Sequence, residues 1–330
     1  MERFKVFRIH VDGERTRAGF EYPDLDELSP GDVVIRVAYS SINYKDALAA
    51  TGVGKILRSS PLIGGIDLSG TVVSSQDPRY RPGEAVLVTG CGMSETRDGG
   101  YAEYARVPGD AVVSVPEGLD LRTAMGVGTA GFAAALGIHK MELMGLAPGQ
   151  GPVVVTGATG GVGTLAIDML SGRGHEVVAV SGKDSFDAYL RQLGAARILR
   201  RQELDLGKRP LERALWAGAV DNVGGDVLAW LTRTVDVNGS IASIGLAGGA
   251  DLKTTVMPFI LRGVNVLGVN SSGTLREPRL ALWRRIATDL KPRHFDAVIT
   301  REIAFDELPA AFAEYVGGRV CGRTIVRVGA

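Results

Sequence analysis

Polar and hydrophobic positions alternate along this chain with two different periods, and the change comes near residue 125. Before that point the apolar residues fall in short runs: DVVIRVAYSSIN (32–43), LSGTVVSS (68–75), EAVLVTG (84–90) and AEYARVPGDAVVSVP (102–116). Gly, Pro and Asp punctuate these runs, which predicts short strands and tight turns in an all-β, barrel-like unit. The N-terminal MERFKVFRIHVDGE also alternates like a strand. From residue 123, RTAMGVGTAGFAAALGIHKMELMG is small, apolar and helical in character. Strand-like and helix-like segments then take turns: PVVVTG (152–157), GVGTLAIDMLSGRG (161–174), EVVAVSG (176–182), DSFDAYLRQLG (184–194) and ARILR (196–200). GAVDNVG (218–224), SIASIGL (240–246) and NVLGVN (265–270) read as the later strands. Such alternation predicts an α/β unit with a doubly wound parallel sheet and helices on both faces. After a helix at 279–290 the chain turns strand-rich again, with a helix at 307–316 and a final strand at 323–328. The expected organisation is a β-rich domain over 1–125, a nucleotide-binding domain over 126–270 and a return to the first domain over 271–330.

The first strand of the α/β part runs into Thr156-Gly157-Ala158-Thr159-Gly160-Gly161-Val162-Gly163. Glycines let a backbone turn sharply and approach a pyrophosphate, and a helix N-terminus supplies free N–H groups and partial positive charge. A glycine cluster alone is a weak signal. Here it lies between a strand and a helix, with a second strand at the expected distance. That second strand ends in Ser181-Gly182-Lys183, where a carboxylate would grip the adenosine ribose of NAD. A carboxylate there would repel a 2′-phosphate by roughly 4 kcal/mol at 4 Å and an effective dielectric of 20. A hydroxyl and an ammonium reverse that preference, so NADPH is the expected cofactor. Arg197, beside the next strand, is a second candidate cation.

Composition narrows the partners. The 330 residues carry 37 basic and 37 acidic side chains, a formal net charge of zero, which disfavours nucleic acid or an anionic membrane as the main partner. The two cysteines, Cys91 and Cys321, lie far apart without metal-ligand spacing. No uncharged apolar run approaches the roughly 20 residues of a bilayer span, and the N-terminus lacks the apolar core of a signal peptide. A cytoplasmic protein is expected.

ATGGVG and SGK, together with SSINYKDALAATG (40–52), GIDLSG (65–70), GTAGFAA (128–134), WAGAVDNVG (216–224), GLAGG (245–249) and TTVMPFILRGVNVLGVNS (254–271), resemble the zinc-independent medium-chain dehydrogenase/reductases. The likeness is to their quinone oxidoreductase-like branch and within it to the acrylyl-CoA reductase subgroup. It implies a GroES-like β-barrel domain, a Rossmann domain, and NADPH-dependent reduction of an activated C=C bond. It also implies site residues. Asn43 and Tyr44 are candidates beside the reacting carbonyl. Tyr44 and Thr129 are expected at the nicotinamide. Thr159, Gly160, Gly161, Val162, Gly163, Ser181, Gly182, Lys183 and Arg197 are expected at the phosphates, with Leu246, Ile260 and Ser271 at the nicotinamide end.

Zinc relatives carry Cys and His-Glu where this chain reads YSSIN (39–43) and GGIDLSG (64–70), so no metal is expected. Asp46 and Asp67 read as organisers of hydrogen bonds rather than bases. Cys91 and Asp98 stand where the subgroup carries tryptophans, which leaves the acyl group open and suggests room for one bulkier than acrylyl. The competing activities are a quinone reductase and, in another class, a non-catalytic NADPH-binding protein of regulatory or structural role. NVLGVN (265–270), as the last strand of its sheet, suggests a homodimer paired along that edge.

Overall fold

The computed structural model describes residues 3–329. In chain order the first elements are β1 (Val6–Asp12), β2 (Arg15–Glu21), β3 (Val33–Ile42), α1 (Tyr44–Thr51), β4 (Leu62–Ile63), β5 (Asp67–Ser75), β6 (Ala85–Thr89), β7 (Tyr104–Val107) and β8 (Val113–Ser114). Then come α2 (Leu121–Leu143), β9 (Val153–Val155), α3 (Gly161–Gly172), β10 (Val177–Ser181), α4 (Asp187–Gln192), β11 (Ala195–Arg200), β12 (Trp216–Asp221), α5 (Gly225–Thr234), β13 (Val235–Ser243), α6 (Met257–Arg262) and β14 (Asn265–Gly268). The chain finishes with α7 (Arg276–Ala287), α8 (Phe295–Val298), β15 (Ile299–Ala304), α9 (Leu308–Val316) and β16 (Arg323–Arg327).

Two compact units result. The first takes the described residues up to Thr129, Ser272–Ala287 and the chain from Ile299 onward; the second takes Ala130–Ser271 and Thr288–Val298. The return to the first unit is therefore interrupted, because 288–298 packs with the second. Asp168 explains this locally: buried in α3, it accepts the backbone N–H groups of Arg293 and His294 and meets His294 Nδ1 at 2.9 Å.

The first unit holds a seven-stranded sheet, β15-β16-β3-β5-β6-β8 with β7 added on β3, and a three-stranded sheet β2-β1-β4. One core joins Phe4, Phe7, Ile9, Ile42, Tyr101 and Phe312; a second, around Val33, Ile35, Leu68, Val86 and Val107, fills the barrel side. The run at 102–116 forms two short strands, β7 and β8. Pro108 lacks an N–H, and a 3₁₀ turn over Gly109–Ala111 separates them. The segment after Asn43 is a helix, α1, that alternation did not predict. Asp46 caps it by accepting the Asn43 N–H at 2.8 Å, and Gly52 ends it with φ +74°.

The second unit is a parallel six-stranded sheet in the order β11-β10-β9-β12-β13-β14. The order reverses at β9, whose neighbours β10 and β12 lead the chain off to opposite sides, the topology of a Rossmann unit. Its strands are apolar because both faces are covered; Val153, Val154, Val155, Val178 and Ala219 have no exposed surface.

Helix α2 revises one expectation. Its 23 residues are long and apolar enough to span a bilayer, yet 78% of the apolar window is buried inside the protein, so it is a core helix. It is also not continuous. Gly128 sits at φ +51°, ψ −160° and breaks it at the point where the first unit ends.

Candidate active site and nucleotide turn

The turn after β9 is shaped by absent side chains. Gly157 has φ +59°, and a Cβ there would lie 3.1 Å from the Asn222 Cβ. A Cβ on Gly163 would lie 2.4 Å from the Gly157 carbonyl oxygen and 2.8 Å from the Ala158 Cα. The first turn of α3 thus packs directly on the strand's end, and Gly160 stands at its N-cap. Thr159, Gly160, Gly161, Val162 and Gly163 come together at the carboxyl edge of the sheet, where the four leading N–H groups of a helix are left for an anion.

Ser181, Gly182 and Lys183 reach the same edge at the end of β10. The Ser181 hydroxyl accepts the Lys183 N–H at 3.0 Å, which fixes the turn, and the Lys183 ammonium lies 5.7 Å from the Phe186 ring. Arg197 lies elsewhere. It pairs in register with Val178, three residues short of Ser181 and so about 10 Å back along the strand. Its guanidinium stands 3.4 Å from Glu176 instead. The arginine beside Gly182 is Arg201: a Cβ on Gly182 would lie 3.5–3.7 Å from its guanidinium. The sequence signal for it was the Arg200-Arg201 pair at the end of β11. Arg200 is taken by Asp184 and Asp187.

Leu246 follows β13 at the same edge. Its loop folds onto the turn after β12 through Gly245 N–H to Asp221 O at 3.2 Å and Gly248 N–H to Val223 O at 2.7 Å. Leu246 is 66% exposed. Ser271 comes three residues beyond β14, also past the carboxyl end. Ile260 is different. It lies on α6, whose Arg262 is tied to the carbonyls of Arg233 and Val235 at the start of β13, and it is 73% exposed among Val256, Met257 and Leu261.

The remaining candidates lie in the first unit and meet around Asp67. This carboxylate accepts the Ser41 hydroxyl at 2.6 Å, the Asn43 amide at 2.8 Å, and both the N–H and the hydroxyl of Thr129. Arg323, from the last strand, stands 3.7 Å away and donates to Ser41 Oγ, Asn43 Oδ1, Ile42 O and Gly126 O. The Asn43 side chain is fully engaged: its Nδ2 donates to both Asp46 and Asp67, and its Oδ1 accepts Arg323. It orients the loop and has no donor left for a substrate oxygen. Tyr44, the next residue, is half exposed, and its hydroxyl has no partner among the described residues. Gly128 passes against this group; a Cβ there would lie 2.6 Å from Arg323 Nη2 and 2.7 Å from Asp67 Oδ2. Arg323 was missed in the sequence; the one available hint was a charged residue opening a strand that is otherwise buried.

Cys91 and Asp98 differ from each other. Cys91 is half-buried at φ +52°, and burial raises its thiol pKa, with Arg279 and Arg97 opposing. Asp98 is a tie: it accepts the Ser29 N–H and hydroxyl at 2.8 and 2.9 Å and the Ile63 N–H at 2.8 Å.

Residues 29–117 match the alcohol dehydrogenase GroES-like domain, and residues 161–287 match the zinc-binding dehydrogenase family. The probable acrylyl-CoA reductase AcuI of Escherichia coli K12 is 48% identical over 314 residues, 95% of this chain and 96% of that one. The chain belongs to the medium-chain dehydrogenase/reductase family. A second member, the putative quinone oxidoreductase YhfP of Bacillus subtilis, is 47% identical over 92% of both chains. In crystal structures, the YhdH oxidoreductase of Salmonella enterica in complex with NADP superposes with a TM-score of 0.95 at 46% identity, covering 98% of this chain and 100% of that one. YhfP with NAD bound gives 0.96 at 43%, covering 99% and 100%. Although one matching family is named for zinc, no group of three or more His, Cys, Asp and Glu that could hold a metal gathers among the described residues of this medium-chain reductase.

Proposed function

We propose that this chain is an NADPH-dependent reductase of an activated C=C bond in an enoyl thioester, acting in the cytoplasm without a metal. The observation that carries the reading is the cationic end of β10. Gly182 lies under Arg201, next to Lys183, where a 2′-phosphate would be matched and a ribose-binding carboxylate is missing. The glycine cradle at 157–163 fits a dinucleotide's pyrophosphate. When bound, the nicotinamide supplies a hydride to the carbon β to a carbonyl. The chain's own residues bind and orient: Tyr44 offers a hydroxyl at the first turn of α1, Asn43 and Asp67 hold that turn, and Thr129 is fixed by Asp67. The acyl-CoA class of substrate is supported by the acrylyl-CoA reductase named among the relatives. The quinone reading is favoured by the name of YhfP and is the second candidate.

Oxidation of NADPH, followed in the presence of acrylyl-CoA, longer enoyl-CoA thioesters, a quinone or no acceptor, separates these readings. Turnover with enoyl thioesters and not with the quinone is expected. Quinone turnover alone would replace the reading, and binding of NADPH without any turnover would favour a non-catalytic role. The half-buried Cys91 supports acceptance of acyl groups bulkier than acrylyl, which the chain-length series reads directly. Asp98 adds no support, since it is occupied as a tie.

We further infer a homodimer. Strand β14 is the outer strand of its sheet, and Val256, Met257, Ile260, Leu261 and Val266 near it are exposed. Pairing that edge with its copy about a two-fold axis would cover both. A monomer mass in light scattering at micromolar concentration would remove this inference.

A further inference from the structure

Two carboxylates are buried close together in the first unit, and one amide bridges them. Asp46 is 1% exposed and Asp67 has no exposed surface. Asn43 Nδ2 donates to Asp46 Oδ2 at 3.1 Å and to Asp67 Oδ2 at 2.8 Å. Arg323 is the cation beside them. With both acids ionised, this group would hold a net negative charge away from water, which is costly. The donors are shared unevenly. Asp67 takes the hydroxyls of Ser41 and Thr129, the Thr129 N–H and the Asn43 amide, and stands beside Arg323. Asp46 takes the N–H groups of Asn43 and Ile66 and the same amide. The other titratable groups facing it are the phenols of Tyr101 and Tyr315, both held protonated by burial. Lys45, next along α1, is turned to Glu95 at 2.7 Å. Burial first, and then the charge of Asp67, push the Asp46 carboxyl up to about 7.

We propose that Asp46 is a positioning residue whose ionisation switches the start of α1, pinning Asn43 and the adjoining Tyr44 when charged and loosening them when neutral. Asp46 Oδ2 accepts two donors from Asn43, its N–H and its amide. A proton placed on the carboxyl weakens it as an acceptor for both, and Asn43 is then held at its side chain by Asp67 and Arg323 alone. Tyr44 directly follows Asn43, so its contact with the cofactor inherits the change. The inference rests on the proposed contact between Tyr44 and NADPH.

The test uses the whole protein. Carbon-13 NMR of the aspartate carboxyls should show Asp46 titrating near pH 7, assigned by the signal lost in Asp46→Asn. NADPH affinity, followed by cofactor fluorescence, should weaken roughly tenfold below that midpoint, the worth of about one charge-assisted hydrogen bond. Asp46→Asn should remove the inflection, and Asp67→Asn should move it to lower pH by taking away the like charge. A carboxyl midpoint near 4, or an inflection that survives Asp46→Asn, overturns the proposal, as would a failure to bind NADPH at any pH. If Asp46→Asn does not fold, the wild-type titration and the Asp67→Asn shift decide the matter. Binding that shows the inflection without enoyl turnover would sink the proposed reaction and leave this inference standing.

Discussion

The two units build their sites by opposite means. In the second, the nucleotide turn is made of backbone: Gly157 and Gly163 allow a close approach, and α3 supplies N–H groups. In the first, the site is made of side chains that satisfy one another around Asp67. The backbone site is local, spanning a single strand-turn-helix. The side-chain site gathers residues 43, 46, 67, 129 and 323 from across the chain. Local sites tolerate change in distant residues, whereas a mutually satisfied buried group loses several partners with one substitution.

Arg323→Ala should give the largest effect. It takes the cation from beside Asp67 in the interior, and breaking a buried pair typically costs about 3–5 kcal/mol. Urea denaturation should show that loss, while Arg201→Ala, at the exposed edge of the other unit, should unfold like the wild type. Equal stability of the two variants would erase the contrast.

The next largest effect is on pH dependence. Asp46 holds its proton up to about pH 7 in the folded chain and has the ordinary carboxylate value when unfolded. Between about pH 4 and 7 the folded state therefore binds more protons, and stability falls as pH rises through that window, by up to about 1.4 kcal/mol per unit, then levels off. The surface Asp77, held down to about 2 by Arg79, acts in the opposite direction and only below pH 4. Denaturation of wild type and Asp46→Asn at pH 5 and pH 8 checks the sign: Asn should gain relative to Asp at the higher pH. A difference that does not change with pH would show that Asp46 is ionised throughout.

For the cofactor, Lys183→Ala and Arg201→Ala should each weaken NADPH binding by roughly ten- to hundredfold, the equivalent of about 1.5–3 kcal/mol for a charge-assisted contact. NADH binding should change little, because it presents no 2′-phosphate. Equal losses for both cofactors in titration would remove the phosphate assignment.

The smallest effect belongs to Arg197→Ala. Its exposed pairing with Glu176 is of the kind worth at most about 1 kcal/mol, and it stands back from the phosphate end. NADPH affinity should stay within about twofold. A tenfold loss would return Arg197 to the site and displace Arg201.

The same contrast governs what could be read from the sequence. The glycine turn and the strand carrying SGK were legible because each is a contiguous pattern with a local physical reason. The split of the β-rich unit was legible from the strand-like C-terminal segment. Arg197 was named and Arg201 was not, because sequence proximity to a strand does not tell which end of it a side chain occupies; that depends on the register between β10 and β11. Asp67 and Asn43 were picked out as loop residues, but their mutual satisfaction with Arg323 depends on β16 pairing with β3 across most of the chain. Helix α1 escaped notice because its eight residues carry no apolar stripe and are set by a cap instead.

That late arrival of β16 has a bearing on synthesis. As the chain leaves the ribosome, β3, β5 and the loop with Asn43 emerge early, and Asp67 finds Ser41 and Thr129 long before Arg323 exists. The cation that balances its charge is among the last residues made, and the edge of β3 meant for β16 waits as long. The second unit waits too, for the 288–298 segment that Asp168 binds. Until β16 is made, the emerging chain has β3 with an open edge and Asp67 without Arg323, so the buried group around Asp67 closes only once synthesis is nearly finished.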